Sequence, residues 1–177
     1  MEKNTAASKA GSAGSPGSRK ADPAFYSQMR RHALEMRLPS IARNAVQIVL
    51  MDWHVDRGTV TVLASADGAA SLYLSSGGGY VGGSKKFPSI RAAALHAVAV
   101  ATSLQNHFDP TETSPLPTLG DVTFYITTGT GVSRAVAPEA KLRAANDPLA
   151  ALGGAMQKIV TEYRLKFQKP TAKAEPQ

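Results

Sequence analysis

Two tight turns constrain this chain more than anything else in it. Between Asn44 and Ser76 the runs "AVQIVLMDWHV", "TVTVLAS" and "SLYLSS" are apolar and rich in β-branched residues, and only "DRG" and "ADGAA" separate them. Parallel neighbours need a crossover of a dozen or more residues, so connections this short force adjacent strands to run antiparallel. The three runs are expected to form a meander, with Asp67-Gly68 as the hairpin signature of its second turn.

Helical periodicity surrounds this meander. Asp22 before Pro23 reads as an N-cap followed by proline at the first helical position. The helix it opens runs through "AFYSQMRRHALEMRL" and ends at Pro39. Its expected core stripe is Phe25, Met29, Ala33 and Met36, with Arg30, Arg31 and Arg37 off that stripe. A second helix, "PSIRAAALHAVAVATSLQNHF", places Ile90, Ala94, Ala97, Ala101 and Leu104 on one face. Leu95, Val98 and Val100 carry the apolar surface almost all round it. Such a helix is buried on more than one side, either centrally or at a subunit interface.

A Pro-rich connection, "DPTETSPLPTLG", leads to the strand "DVTFYITT", the turn "GTG" and a returning strand "VSRAVA". Asp147-Pro148 repeats the cap signature and opens a last helix with Leu149, Leu152, Met156, Ile159 or Val160, Tyr163 and Phe167 as its core stripe. Gly153-Gly154 lies in the first half of that helix. Each glycine costs it about 1 kcal/mol relative to Ala, a cost expected where a helix packs against another backbone.

The order helix, three strands, helix, two strands, helix implies an α+β fold. Its mainly antiparallel sheet has about five strands, with helices packed on it. The domain spans 23–168. Residues 1–22 and 169–177, rich in Ser, Gly, Ala, Lys and Pro, read as disordered tails.

Composition narrows the chemistry. The absence of cysteine excludes disulfides, thiol catalysis and Cys-ligated metal sites. The amino-terminal segment lacks the apolar stretch of a secretory signal, and no run of about 18 apolar residues occurs, so a cytoplasmic protein is expected. The formal charge is +7. Lys3, Lys9, Arg19, Lys20, Lys169 and Lys173 against Glu2, Asp22 and Glu175 place 6 − 3 = +3 of it in the tails and leave +4 on the domain. That charge favours acidic partners and makes nucleic acid a possible, though not the favoured, partner.

Two stretches could carry chemistry. In "SSGGGYVGGSKKFP", Gly77, Gly79 and Gly82 satisfy G-x-G-x-x-G. A dinucleotide fingerprint, however, needs a first strand feeding directly into a helix and an acidic residue about 20 positions on, and both are missing. The phosphate-loop pattern also fails, because Ser84 stands where Lys is required after Gly78 and Gly83. What survives is an anion site in which the backbone of Gly77, Gly78, Gly79, Gly82 and Gly83 cradles phosphate beside Lys85 and Lys86. The competing reading is a glycine turn from which Tyr80 and Val81 start a short strand.

In "DWHVD", Asp52, His54 and Asp56 share one side of a strand. They could hold a metal or orient His54 as a general base. The alternative is a strand that turns polar as it leaves the core beyond Val46, Ile48 and Leu50. A two-metal nuclease would need further carboxylates on the following helix, which offers none. His96 and His107 lie about 16 Å apart along a helix and cannot share an ion.

Two functions follow. The leading one is a non-catalytic protein–protein interaction or scaffold domain that self-associates. The other is a phosphate- or nucleotide-binding domain, with or without weak enzyme activity, that uses residues 77–83 with Lys85 and Lys86. No cofactor is identified by either.

Overall fold

In the computed structural model, which describes residues 23–144 and 147–167, the apolar runs pair as their short turns require. Strand β1 (Ile48–Val55) turns at Asp56-Arg57 into β2 (Gly58–Ser65), with Val55 opposite Gly58. The second turn is closed by the Asp67 carboxylate, which accepts the Ala69 N–H, and leads to β3 (Ala70–Leu74). The chain then doubles back once more as β4 (Gly79–Val81), antiparallel to β3. Further on, β5 (Asp109–Thr111), β6 (Asp121–Thr127) and β7 (Val132–Pro138) complete one antiparallel sheet of order β4-β3-β2-β1-β6-β7-β5.

The sheet therefore has seven strands where about five are legible in the sequence. The two additions, β4 and β5, are its edges and are three residues long. One is glycine-rich and the other contains Pro110, and neither offers the alternation that marks a half-buried strand.

Two faces of the sheet are covered differently. Val49 and Met51 of β1, with Val122, Phe124 and Ile126 of β6, face the larger core beneath α2 (Pro88–Ser103) and α4 (Pro148–Phe167). Ile48, Leu50, Leu63 and Tyr125 face a smaller core under α1 (Pro23–Glu35). Val46 lies with the larger core rather than beside Ile48 and Leu50, because it precedes the paired part of the strand. A 3-10 turn (Gln105–His107) and the one-turn α3 (Glu139–Leu142) complete the described elements.

Helix α2 packs against both the sheet and α4, burying Ile90, Ala93, Ala94, Ala97, Val98 and Ala101. Within the chain it lies between the sheet and α4. Much of its outward surface is alanine, Ala92 and Ala99, which costs little in water, and Leu95 is only 38% exposed. The Asp147 carboxylate accepts the Leu149 N–H at 2.8 Å, capping α4 as expected. The matching cap at Asp22 lies outside the described residues.

Helix α1 turns a different face inward from the one its periodicity suggests. Tyr26, Arg30, Ala33 and Leu34 are buried, while Phe25 is 47% exposed. The same three-and-four spacing holds, rotated by one residue, so that Arg30 enters the core. What makes a buried arginine tolerable there is its partner on β1.

Candidate functional sites

Asp52 is that partner. It lies at 0% exposure in the middle of the central strand. Arg30 Nε donates to Asp52 Oδ2 at 2.8 Å, and the ion-pair distance from Nη2 is 2.6 Å. Thr61 donates its hydroxyl to the other carboxylate oxygen at 2.5 Å. Since that proton goes to Asp52, Tyr26 must donate to Thr61 Oγ1, 2.7 Å away. Arg30 Nη1 also donates to the Ser114 carbonyl at 2.8 Å, and Tyr125 O–H to the Pro115 carbonyl at 2.5 Å, so the Pro-rich segment is strapped over this face. The Arg30 guanidinium lies 5.2 Å from the centre of the Tyr125 ring.

Burial dominates the protonation of this network. It pushes the Tyr26 hydroxyl up to about 12, helped by the Asp52 charge. It also raises the Asp52 carboxyl against the pull of Arg30 and Thr61. An ion pair this deep, with these oxygens already taken, ties α1 to β1 and β2.

The sequence-derived trio of Asp52, His54 and Asp56 is thereby taken apart. Asp52 is committed to Arg30 and Thr61, His54 is half-buried, and Asp56 is exposed in the hairpin turn. Among the described residues no group of three or more His, Asp or Glu side chains could hold a metal ion.

The glycine segment is a hairpin. Gly77 N–H donates to the Leu74 carbonyl and Gly82 N–H to Ala70, while Leu72 and Tyr80 face each other across the ladder. These amides serve strand pairing and do not converge on a common guest. Gly79 is required by the tight pairing: its φ is +143°, and a Cβ there would run into the Leu72 carbonyl. Gly83 ends the segment by accepting the N–H groups of Lys86 and Phe87. Lys85 and Lys86 are exposed at the entry to α2.

What the hairpin builds is an aromatic surface that reading the glycines alone did not reveal. Tyr80, Tyr163 and Phe167 form a cluster of mutually stacked rings (Tyr80–Tyr163 5.3 Å, Tyr80–Phe167 4.9 Å and Tyr163–Phe167 6.0 Å between centres), and Phe87 meets Phe167 edge-on at 5.4 Å. Tyr163 O–H donates to the carbonyls of both Ala70 and Gly82, pinning the hairpin to α4. Phe167 is 38% exposed, and Val81 and Leu165 are 67% and 69% exposed. Lys86 reaches within 5.4 Å of the Phe87 ring. Lys85, Lys86, Arg164 and Lys166 are exposed, and none is in an ion pair among the described residues. The rings lie as far as 87 positions apart in the chain, from Tyr80 to Phe167; no local motif announces their meeting.

A second place is a cleft of about 350 Å³ at the other end of α4. Trp53 and Met51 lie on its floor, Leu142 and Arg143 on one wall, and Gly154 and Gln157 on the other. Trp53 Nε1 donates to Glu139 Oε2 at 3.0 Å, and Arg143 holds Oε1 at 2.6 Å. The Trp53 hydrogen bond, with that of Arg143, keeps the Glu139 carboxyl below the usual range.

The two helix glycines lie beside this cleft and not against another backbone. A Cβ at Gly153 would make ordinary contact with the Leu142 side chain, and one at Gly154 would meet nothing within 4 Å. The close-packing expectation for this pair is thus corrected.

Together these features define an α+β domain with helices on both faces of an antiparallel sheet and an aromatic, basic surface at one edge. No family model, no curated protein and no solved structure matches the chain. No helix among the described residues is long and apolar enough to cross a membrane.

Proposed function

We propose that this chain is a non-catalytic protein-interaction domain whose contact surface is the β4–α4 edge and whose partner is an acidic protein. The observation that carries the reading is the meeting, at a sheet edge that no described strand pairs, of half-exposed rings, two strongly exposed aliphatic residues and four cations in no ion pair among the described residues. Register supplies the backbone part. Leu74 N–H bonds Gly78 and Gly82 N–H bonds Ala70, in phase with the Leu72–Tyr80 pair, so Gly79 and Val81 direct their N–H and C=O groups away from β3. An extended segment added there would gain main-chain hydrogen bonds, apolar contact at Val81 and Phe167, and charge complementarity at the lysines.

Self-association loses one support, since α2 lies inside the fold, and four cations on one surface disfavour a second copy at this edge. Light scattering over a concentration series tests it directly. For the acidic partner, the probe is a random Glu–Tyr copolymer titrated calorimetrically. Binding is expected for the wild-type chain and a loss of ten-fold or more for the Lys85→Glu/Lys86→Glu variant. Absence of binding at low salt overturns the proposal. Tighter binding of a single-stranded oligonucleotide would replace the partner class. A rise in melting temperature with ATP or inorganic phosphate, lost in Lys85→Ala/Lys86→Ala, would move the reading to an anion site.

A further inference from the structure

The cleft beside Trp53 is separate from the β4–α4 edge, and nothing in the proposed function uses it. We propose that it binds a small, flat aromatic ligand of one or two rings carrying a hydrogen-bond acceptor such as a carboxylate.

The inference starts from what the fold does not need. Gly154 could carry a side chain without meeting any protein atom, and Gly153 could carry a methyl group in ordinary contact with Leu142. Neither glycine has a positive φ to accommodate. Both weaken the helix they sit in, and what they do in return is keep one wall of the cleft bare. A side chain withheld at the expense of stability, on the wall of a cleft, is the pattern expected where room is needed for something else.

The opposite side is built rather than bare. The indole of Trp53 is fixed in orientation by its hydrogen bond to Glu139, which is held in turn by Arg143. Trp53 is the single tryptophan of the chain and lies half-buried, with Met51 beside it on an apolar floor. An indole held in place offers a flat, polarisable surface for a ring. Its polar groups are the Glu139 carboxylate, already held by Trp53 and Arg143, the remaining N–H groups of Arg143, whose side chain is 78% exposed, and the Gln157 amide; of these, Arg143 and Gln157 have donors left to offer. Both donate to an acceptor on the ligand, and Arg143 does so with charge. An apolar floor with a few convergent donors is the usual make-up of a small-molecule site, and about 350 Å³ holds one or two fused rings.

The single tryptophan provides the test. In a ¹H–¹⁵N spectrum of the full chain, one indole N–H signal reports on Trp53. With 2-naphthoate as probe, that signal is expected to shift saturably, with half-saturation at about millimolar concentration or below. Gly154→Leu, which fills the cleft with a good helix former, is expected to weaken binding at least ten-fold while the rest of the spectrum stays folded. Ala150→Leu on the same wall serves if that variant fails to fold. Arg143→Gln is expected to weaken 2-naphthoate about five-fold and leave uncharged 2-naphthol unchanged. No saturable shift in the wild-type chain, or wild-type affinity in folded Gly154→Leu, overturns the site. Equal losses of both probes in Arg143→Gln overturn the assignment of the acceptor.

Discussion

At the scale of single residues, the chain is decided by one buried charge and the groups arranged to satisfy it. Removing Arg30 leaves the Asp52 carboxylate in the core without its partner. Arg30→Met is therefore expected to cost about 3–5 kcal/mol in urea denaturation, and Arg30→Met combined with Asp52→Leu to recover most of that loss. Tyr26 gives a pH dependence of definite sign. Its hydroxyl titrates near 12 in the folded chain, above the ordinary 10.0, so the folded state holds that proton more tightly. The stability it contributes is fully present below pH 10 and is lost as pH rises through 12. Burial raises Tyr163 in the same direction. Melting temperature measured across this window is expected to fall steeply in the wild type and less steeply in Tyr26→Phe.

At the scale of elements, the glycines separate into those that the backbone requires and those it does not. Gly79→Ala is expected to detach β4, because the new Cβ meets the Leu72 carbonyl and φ is unfavourable. Fast hydrogen exchange at the Tyr80 amide would report the detachment. Gly154→Ala, in an ordinary helical position open to the cleft, is expected to stabilise the chain by about 0.5–1 kcal/mol. The same division explains what the sequence discloses. Strands β1–β3, β6 and β7 and helices α2 and α4 are legible because alternation, helical period and turn residues act within a few positions. The short strand that Tyr80 and Val81 suggest is β4, while β5 owes its existence to the neighbour that pairs with it. The inward face of α1 was misjudged because arginine ranks as a surface residue until its carboxylate, 22 positions away, is known. Gly153-Gly154 suggests a close approach to another backbone, but the pair borders open space, which a sequence cannot tell from backbone. Of the candidate site residues, Lys85 and Lys86 border the aromatic surface, and only the unremarked Trp53 of "DWHVD" reaches the cleft.

At the scale of the whole molecule, the two halves of the sheet meet on β1, between a meander closed by short turns and a β6–β7 hairpin reached only after α2 and the Pro-rich segment. Tyr163 ties one end of this arrangement, the β3–β4 hairpin, to α4 through Ala70 and Gly82. Tyr163→Phe is expected to cost about 1–3 kcal/mol by taking the hydroxyl from the Gly82 carbonyl, while Ala70 keeps the Gly82 N–H, with the loss felt by β4 before the rest of the sheet. Until β6 docks, one edge of "IVLMDWHV" stands open, the most apolar strand in the chain, and a newly made chain must pass through that state. Asp52 interrupts that strand with a charge at its centre. The carboxylate that is expensive in the finished core is expected to hinder self-templating by the nascent chain, as gatekeeper charges do beside unavoidable hydrophobic strands. The doubly substituted Arg30→Met, Asp52→Leu chain should refold to full stability at low concentration and yet precipitate at concentrations where the wild type stays clear.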